Sequence, residues 1–143
     1  MYGDTEAIRG LARTMREQGE ALRSEAATLL ARAESVPWQG VAADAMRARV
    51  RAQAAALGRT AELSDVAAVA LDHHAEEVDR RKALIAEIEH RVTALVSAAR
   101  DRLAGLVSSV LPDPVDELLA GFVPPPHGHR DWLLVDLPGL SRG

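Results

Sequence analysis

The sequence predicts an all-α protein built on an elongated antiparallel helical hairpin, and three observations support this prediction. Apolar residues make up 48% of the 143-residue chain although aromatic residues account for only 3%, and 27% of the residues are charged. Alanine-rich and charge-rich sequences of this kind favour helix, because these side chains have high helix propensity. The prolines also leave two long stretches uninterrupted, one before Pro37 and one between Pro37 and Pro112.

Residues 4–35 are expected to form the first helix. Apolar residues recur there at steps of three, four and seven positions, which is the spacing of one face of an amphipathic helix. Asp4 or Thr5 can cap its start, and Glu6 lies in the first turn, where a negative charge is favourable. The residues that define this face are Ile8, Leu11, Met15, Leu22, Ala26, Leu29 and Leu30.

A turn is predicted where "VPWQG" follows this helix. Pro37 disfavours helical geometry at Val36, and Gly40 can adopt backbone angles that other residues avoid. A connector this short makes the second helix antiparallel to the first and places Trp38 at the tip of the hairpin. The apolar face of the second helix begins with Val41, Met46, Val50, Leu57, Leu63 and Val66.

The helical pattern continues past the point, near residue 72, where the first helix can no longer cover the second. Two structures would bury the extra stripe: a third helix that folds back, or one long helix whose overhang is covered by another subunit. We favour the long helix, kinked or broken near residues 58–65, within a dimer that forms a helical bundle. The residues assigned to the partner interface are Ile85, Ile88, Val92 and Leu95.

The composition changes after residue 110, which divides the chain into a helical body, 1–110, and a proline-rich tail, 111–143. Six of the seven prolines lie in this tail. Asp113 and Pro114 are suited to the start of a short helix that Gly121 would end, and "VPPPHGH" is expected to be extended or flexible. The apolar terminal segment either packs back onto the helices or docks on a partner.

Several classes of function are disfavoured by charge and hydropathy. The formal net charge of −4 argues against nucleic-acid binding. Arg47, Arg49 and Arg51 surround their helix, so we interpret them as part of a solvated exterior. The uncharged apolar run at residues 103–112 is about half the length of a membrane span. The acidic start predicts that the chain has no cleavable signal peptide.

Catalytic and cofactor motifs are also missing from the sequence. There is no glycine-rich phosphate loop or nucleophile elbow, and the acidic residues of the helices are all interpretable as surface charge. We therefore expect no enzyme activity, no cofactor and no metal. The five histidines lack the full ligand set of a zinc site; they are His73, His74, His90, His127 and His129.

The residues Trp38-Gln39-Gly40, between two long alanine-rich helices, resemble the Trp-X-Gly (WXG, ESAT-like) helical hairpins. These proteins are small substrates of the type VII (ESX) secretion system, and the similarity covers about the first 75 residues. It implies that the chain pairs with a helical partner in a four-helix bundle and is exported folded, to the medium or the cell surface. It also implies recognition by the type VII secretion ATPase, with Trp38 and Gly40 in the recognised turn.

One family feature is absent, because no Tyr-x-x-x-Asp/Glu signal follows the hairpin and the only tyrosine is Tyr2. The nearest analogue is "WLLVD", in which Trp132 and Asp136 would share one face if the tail were helical. A subunit with the turn but without the signal needs a partner that supplies it, so a heterodimer is favoured over a homodimer. The alternative is a cytoplasmic coiled-coil scaffold or regulatory protein unrelated to secretion.

Overall fold

The computed structural model describes residues 4–140 and is all-helical over that range. Helix α1 spans Thr5–Ser35, α2 spans Val41–Ala104 and α3 spans Pro114–Ala120, and a short 3-10 helix spans Arg130–Leu134. No strand occurs among the described residues. The predicted all-α class, the helical hairpin and the long second helix are therefore confirmed.

The chain divides into two compact units, and α2 contributes to both. The hairpin unit is Thr5–Glu76, and the tail unit includes the described residues from Glu77 onward. The boundary between the units therefore lies at residue 76 and not at residue 110, where the composition changes. The proline-rich tail belongs to the same unit as the second half of α2. Each unit therefore has its own packing.

Helix α2 runs unbroken through residues 58–65, where the sequence suggested a kink or a break. Two hydroxyl side chains in this stretch bond within the helix, Thr60 to the carbonyl of Ala56 at 3.1 Å and Ser64 to that of Thr60 at 3.2 Å. The helix continues to Ala104. Residues 73–110 therefore do not form a separate third helix. The long second helix is observed, but the predicted cover of its overhang by another subunit is not, because the chain's own tail packs there.

A seam of very small side chains occupies the centre of the hairpin unit. Its members recur every seven residues, which is the repeat of a coiled coil. A methyl group at Gly19 would lie only 3.4 Å from the carbonyl oxygen of Ala61, so the two backbones run close together there. The seam consists of Ala12, Gly19, Ala26 and Ala33 on α1 and Ala54, Ala61, Ala68 and Ala75 on α2.

This seam corrects the predicted apolar faces. Leu11, Leu63 and Val66 were assigned to the buried side, but their exposed fractions are 54%, 68% and 65%. Because alanine is abundant throughout the chain, its heptad repeat is hard to detect, and the larger aliphatic residues dominate the apparent pattern. In the structure, alanine fills the contact between the helices, and several larger aliphatic residues face solvent.

Ion pairs connect the two helices of the hairpin along its sides. Arg16 pairs with Asp72, and Arg23 pairs with Asp65. Nearer the turn, Arg51 pairs with Glu34 at 3.0 Å. Exposed pairs of this kind contribute little to stability, but opposite charges beside a coiled-coil seam favour one register over others. The ion pairs therefore support the antiparallel alignment that the alanine seam requires.

The seam can be tested with one enlarged side chain. We expect Ala61→Leu to destabilise the hairpin by about 1–3 kcal/mol, because the close-packed backbones leave no room for the larger group. The exposed Ala56→Leu serves as the control and should change the stability by less than about 0.5 kcal/mol. Urea unfolding monitored by circular dichroism measures both. Equal effects of the two substitutions would contradict the assignment of Ala61 to the seam.

Candidate recognition turn and the covered face of helix α2

The connector between α1 and α2 is a short extended segment that ends in a glycine. Gly40 has a φ of 110°, in the region that favours glycine. Its carbonyl oxygen accepts a hydrogen bond from the amide of Asp44 at 3.0 Å, which closes the first turn of α2. The predicted requirement for glycine at this position is therefore confirmed.

Arg47 holds this connector in place. Its Nη2 donates to the carbonyl oxygens of Val36 at 2.9 Å and Trp38 at 2.7 Å, and its Nε donates to that of Ala33 at 3.3 Å. The carbonyl of Ala33 is among the last of α1, which have no partner within their own helix. One guanidinium group thus satisfies both the end of α1 and the turn.

Arg47 was predicted to belong to a solvated exterior, and this prediction is wrong. Its side chain is only 18% exposed. The residue stands seven positions before Ala54, so it occupies the first seam position of α2, at the turn end of the hairpin. The heptad repeat of α2 is the sequence signal that could have identified its role.

The turn presents an apolar surface. The side chain of Trp38 is 50% exposed, and its neighbours Val36 and Val41 are 36% and 88% exposed. Arg47 donates to the main chain of Trp38, and half of the residue's surface remains exposed. This arrangement suits recognition by another protein, since aromatic side chains are enriched where proteins bind each other.

We expect Arg47→Ala to destabilise the hairpin by about 1–3 kcal/mol, because carbonyl groups at the turn lose their donor. Arg49→Ala removes the same charge from an exposed position and should have an effect below about 0.5 kcal/mol. Amide hydrogen exchange should accelerate at Asp44, whose amide bonds to the Gly40 carbonyl at the turn, in the Arg47 variant alone. Equal exchange in the two variants would show that Arg47 does not hold the turn.

The second half of α2 is covered by the chain's own tail. Ile85 and Val92 are each 1% exposed and pack with Trp132 and Val135 in one hydrophobic core. The tail also contributes partly buried residues to this core, namely Phe122, Leu133, Leu137 and Leu140. Of the two predicted alternatives for the apolar terminal segment, packing back onto the helices is the one observed.

This core corrects the predicted partner interface, which comprised Ile85, Ile88, Val92 and Leu95. Ile88 packs against the same core, and Leu95 lies beside Gly139 of the tail. The prediction failed because it considered only whether α1 is long enough to cover α2. It did not consider that the irregular, proline-rich tail could cover the second half of α2. These four residues therefore offer no free stripe to a second subunit.

Trp132 and Asp136 do not form the exposed pair that the sequence suggested. Trp132 is 2% exposed, and its indole N–H donates to the carbonyl of Pro126 at 2.9 Å. The 3-10 helix ends at Leu134, and Val135 is extended, so the spacing of an α-helix does not apply. Asp136 is exposed outside the helix. Trp132 therefore serves as a core residue.

Glu89 anchors the tail to α2 through two hydrogen bonds. Its carboxylate accepts from Nδ1 of His127 at 2.7 Å and from the amide of Gly128 at 3.2 Å. The hydrogen bond from His127 is the main reason that the pKa of Glu89 lies below its usual range. His127 and Gly128 directly follow Pro126, whose carbonyl accepts the hydrogen bond from Trp132. The bonds to Glu89 and the packing of Trp132 therefore hold the same stretch of the tail.

Helix α3 is anchored to α2 by an ion pair. Arg102 donates from Nε to both carboxylate oxygens of Asp116 at 3.0 Å and from Nη2 to one of them at 2.6 Å. Asp116 is 8% exposed, and the hydrogen bonds from Arg102 hold its pKa below the usual range. The predicted limits of this helix, from Pro114 to the residue before Gly121, are confirmed.

Acid should release α3. Because Arg102 lowers the pKa of Asp116, the pair stabilises the folded state above the ordinary aspartate pKa of about 3.9. That stabilisation is lost as pH falls through the lower pKa of the folded protein. Hydrogen-exchange protection of α3 should therefore decrease in acid. Asp116→Asn should show reduced protection near neutral pH, whereas the exposed Glu117→Gln should resemble the unaltered protein. Full protection of α3 in the Asp116 variant would contradict the anchoring role.

Comparisons with known proteins identify no relative. No family model, no curated protein and no solved structure matches the chain. Within residues 4–140, no group of three or more histidine and acidic side chains could hold a metal ion. In the same range, no helix combines the length and apolar character needed to cross a membrane.

Proposed function

We propose that this protein is a type VII secretion substrate, or an adaptor associated with that system, that acts through a helical protein partner. The observation that carries the proposal is the exposed Trp38 at the turn of a helical hairpin, followed by Gly40 at positive φ. The resemblance of Trp38-Gln39-Gly40 to the Trp-X-Gly turn supplies the functional link. Arg47 supports the proposal because it bonds to the main chain of the turn, and Trp38 is still half exposed.

The outer face of α2 in the hairpin unit is the surface that we assign to the partner. Leu63, Val66 and Val69 are 68%, 65% and 51% exposed and lie three residues apart, close to one turn of helix. This surface replaces the predicted stripe around Ile85, which the tail covers. A partner helix placed against these side chains would bury apolar surface that the single chain leaves in water.

The export signal is assigned to that partner, which makes a heterodimer the favoured assembly. The tail of this chain has no Tyr-x-x-x-acid pattern. Its analogue begins at Trp132, whose ring is committed to the core of the tail unit. In this proposal the present chain contributes the Trp38 turn, the partner contributes the signal, and the secretion ATPase recognises the pair.

Export from the native host tests this function. The protein should appear in the culture filtrate or at the cell surface, and it should remain inside cells that lack the type VII ATPase. Trp38→Ala should reduce export to the level of that strain, whereas Arg49→Ala should be exported normally. Circular dichroism must show equal helicity for both variants. A folded Trp38→Ala protein that is still exported would remove the role assigned to the turn.

A cytoplasmic coiled-coil scaffold is the second candidate, and the heptad repeat of the hairpin favours it. Seam residues spaced by seven on both helices are typical of coiled coils in many functional settings. Such a protein would also use the face at Leu63 and Val66 to bind a helix. The two candidates differ in location, because a scaffold would keep the same cellular pool whether or not the secretion ATPase is present.

A further inference from the structure

The segment between the end of α2 and the end of α3, residues 105–121, exposes an unusual amount of aliphatic surface. Of its seven leucine and valine residues only Leu119 is buried. The other six have exposed fractions from 38% to 91%, and they are Leu106, Val107, Val110, Leu111, Val115 and Leu118. We refer to residues 105–121 as the apolar-acidic segment. Large exposed apolar surfaces commonly mark sites where proteins bind other molecules.

The fold holds these side chains outward. Asp116 and Leu119 form the buried side of α3, and the Asp116 pair with Arg102 fixes the orientation of this helix. The remaining aliphatic residues of the helix, Val115 and Leu118, are three positions apart and exposed. In the preceding loop, the amide of Val110 bonds to the carbonyl of Val107 at 3.0 Å. The exposure therefore belongs to an ordered segment with local hydrogen bonds.

The charged residues of this segment indicate whether its ligand is acidic or basic. It contains Asp113, Asp116 and Glu117 and no lysine or arginine. Two arginines of α2 also reach the segment: Arg102 pairs with Asp116, and Arg100 donates to the carbonyl oxygen of Ala120 at 3.4 Å. Asp113 and Glu117 are the exposed acidic groups beside the aliphatic side chains. Acidic groups disfavour contact with an anionic membrane surface and favour a cationic ligand. An apolar surface flanked by acidic groups is complementary to an apolar protein segment flanked by basic residues.

We infer that the apolar-acidic segment binds an amphipathic helical segment of another protein, with aliphatic residues on one face and lysine or arginine beside them. Leu111 and Leu118 contribute the apolar contact, and Asp113 and Glu117 contribute the charge that orients the ligand. This mode of recognition places the apolar face of a helix against an exposed hydrophobic surface. The inference uses no part of the Trp38 turn and is independent of the export function.

Binding of model peptides to the full-length protein tests the inference. The probe is a fluorescein-labelled amphipathic helical peptide composed of leucine and lysine, measured by fluorescence anisotropy. A peptide of the same pattern composed of leucine and glutamate is the charge control. The lysine peptide should bind more tightly, and raising the salt concentration should weaken its binding. Leu111→Ser/Leu118→Ser should reduce its affinity by about tenfold or more.

A second pair of substitutions controls for general loss of exposed leucine. Leu11→Ser/Leu84→Ser alters exposed residues outside both proposed binding surfaces and should leave peptide affinity unchanged. Asp113→Asn/Glu117→Gln should reduce both the affinity and its salt dependence; asparagine at 113 retains the helix cap. Equal melting temperatures of all variants would show that each still folds.

Three results would overturn the inference. The first is unchanged affinity in the Leu111→Ser/Leu118→Ser variant, or an equal loss in the Leu11→Ser/Leu84→Ser control. The second is sedimentation with vesicles of phosphatidylcholine and phosphatidylglycerol that depends on Leu111 and Leu118, which would assign the segment to a membrane. The third is dimerisation in analytical ultracentrifugation that the Leu111→Ser/Leu118→Ser substitutions abolish, which would assign it to a second copy of this chain.

Discussion

Close packing of α1 against α2 through alanine and glycine is the constraint on which the hairpin unit depends. Small seam residues let the two backbones approach, so the contact is made largely by main chain and Cβ atoms. Larger aliphatic side chains cannot enter such a seam, and those at Leu11, Leu63 and Val66 remain in water. The narrow seam thus produces both the hairpin and the apolar surface available to a partner.

The tail unit buries the apolar face of α2 with large side chains instead of small ones. Its half of α2 carries the large side chains Ile85 and Val92, and an irregular segment built around Trp132 covers them. Polar contacts at both ends of the segment reinforce the packing: Asp116 pairs with Arg102, and Glu89 accepts bonds from His127 and Gly128. The tail is therefore an integral part of a hydrophobic core.

The packing of the hairpin unit and of the tail unit changes where an interaction with another protein is expected. Intramolecular packing removes the stripe at Ile85, Ile88, Val92 and Leu95 from the accessible surface. Among the described residues, exposed apolar side chains occur at the Trp38 turn, on the outer face of α2 near Leu63, and in the apolar-acidic segment. The experiments on export and on peptide binding address the first and the last of these separately.

The limits of α1, the start of α2 and the limits of α3 could be predicted from the sequence alone, because helix propensity, proline placement and capping residues act over a few neighbouring positions. Pro37 and Gly40 separate α1 from α2, and Asp113, Pro114 and Gly121 delimit α3. Only the tertiary structure decided which segment covers Ile85. It also decided that Arg47 and Trp132 are largely shielded from solvent. Those outcomes depend on contacts between residues far apart in the chain, and local sequence patterns do not determine which distant segments meet.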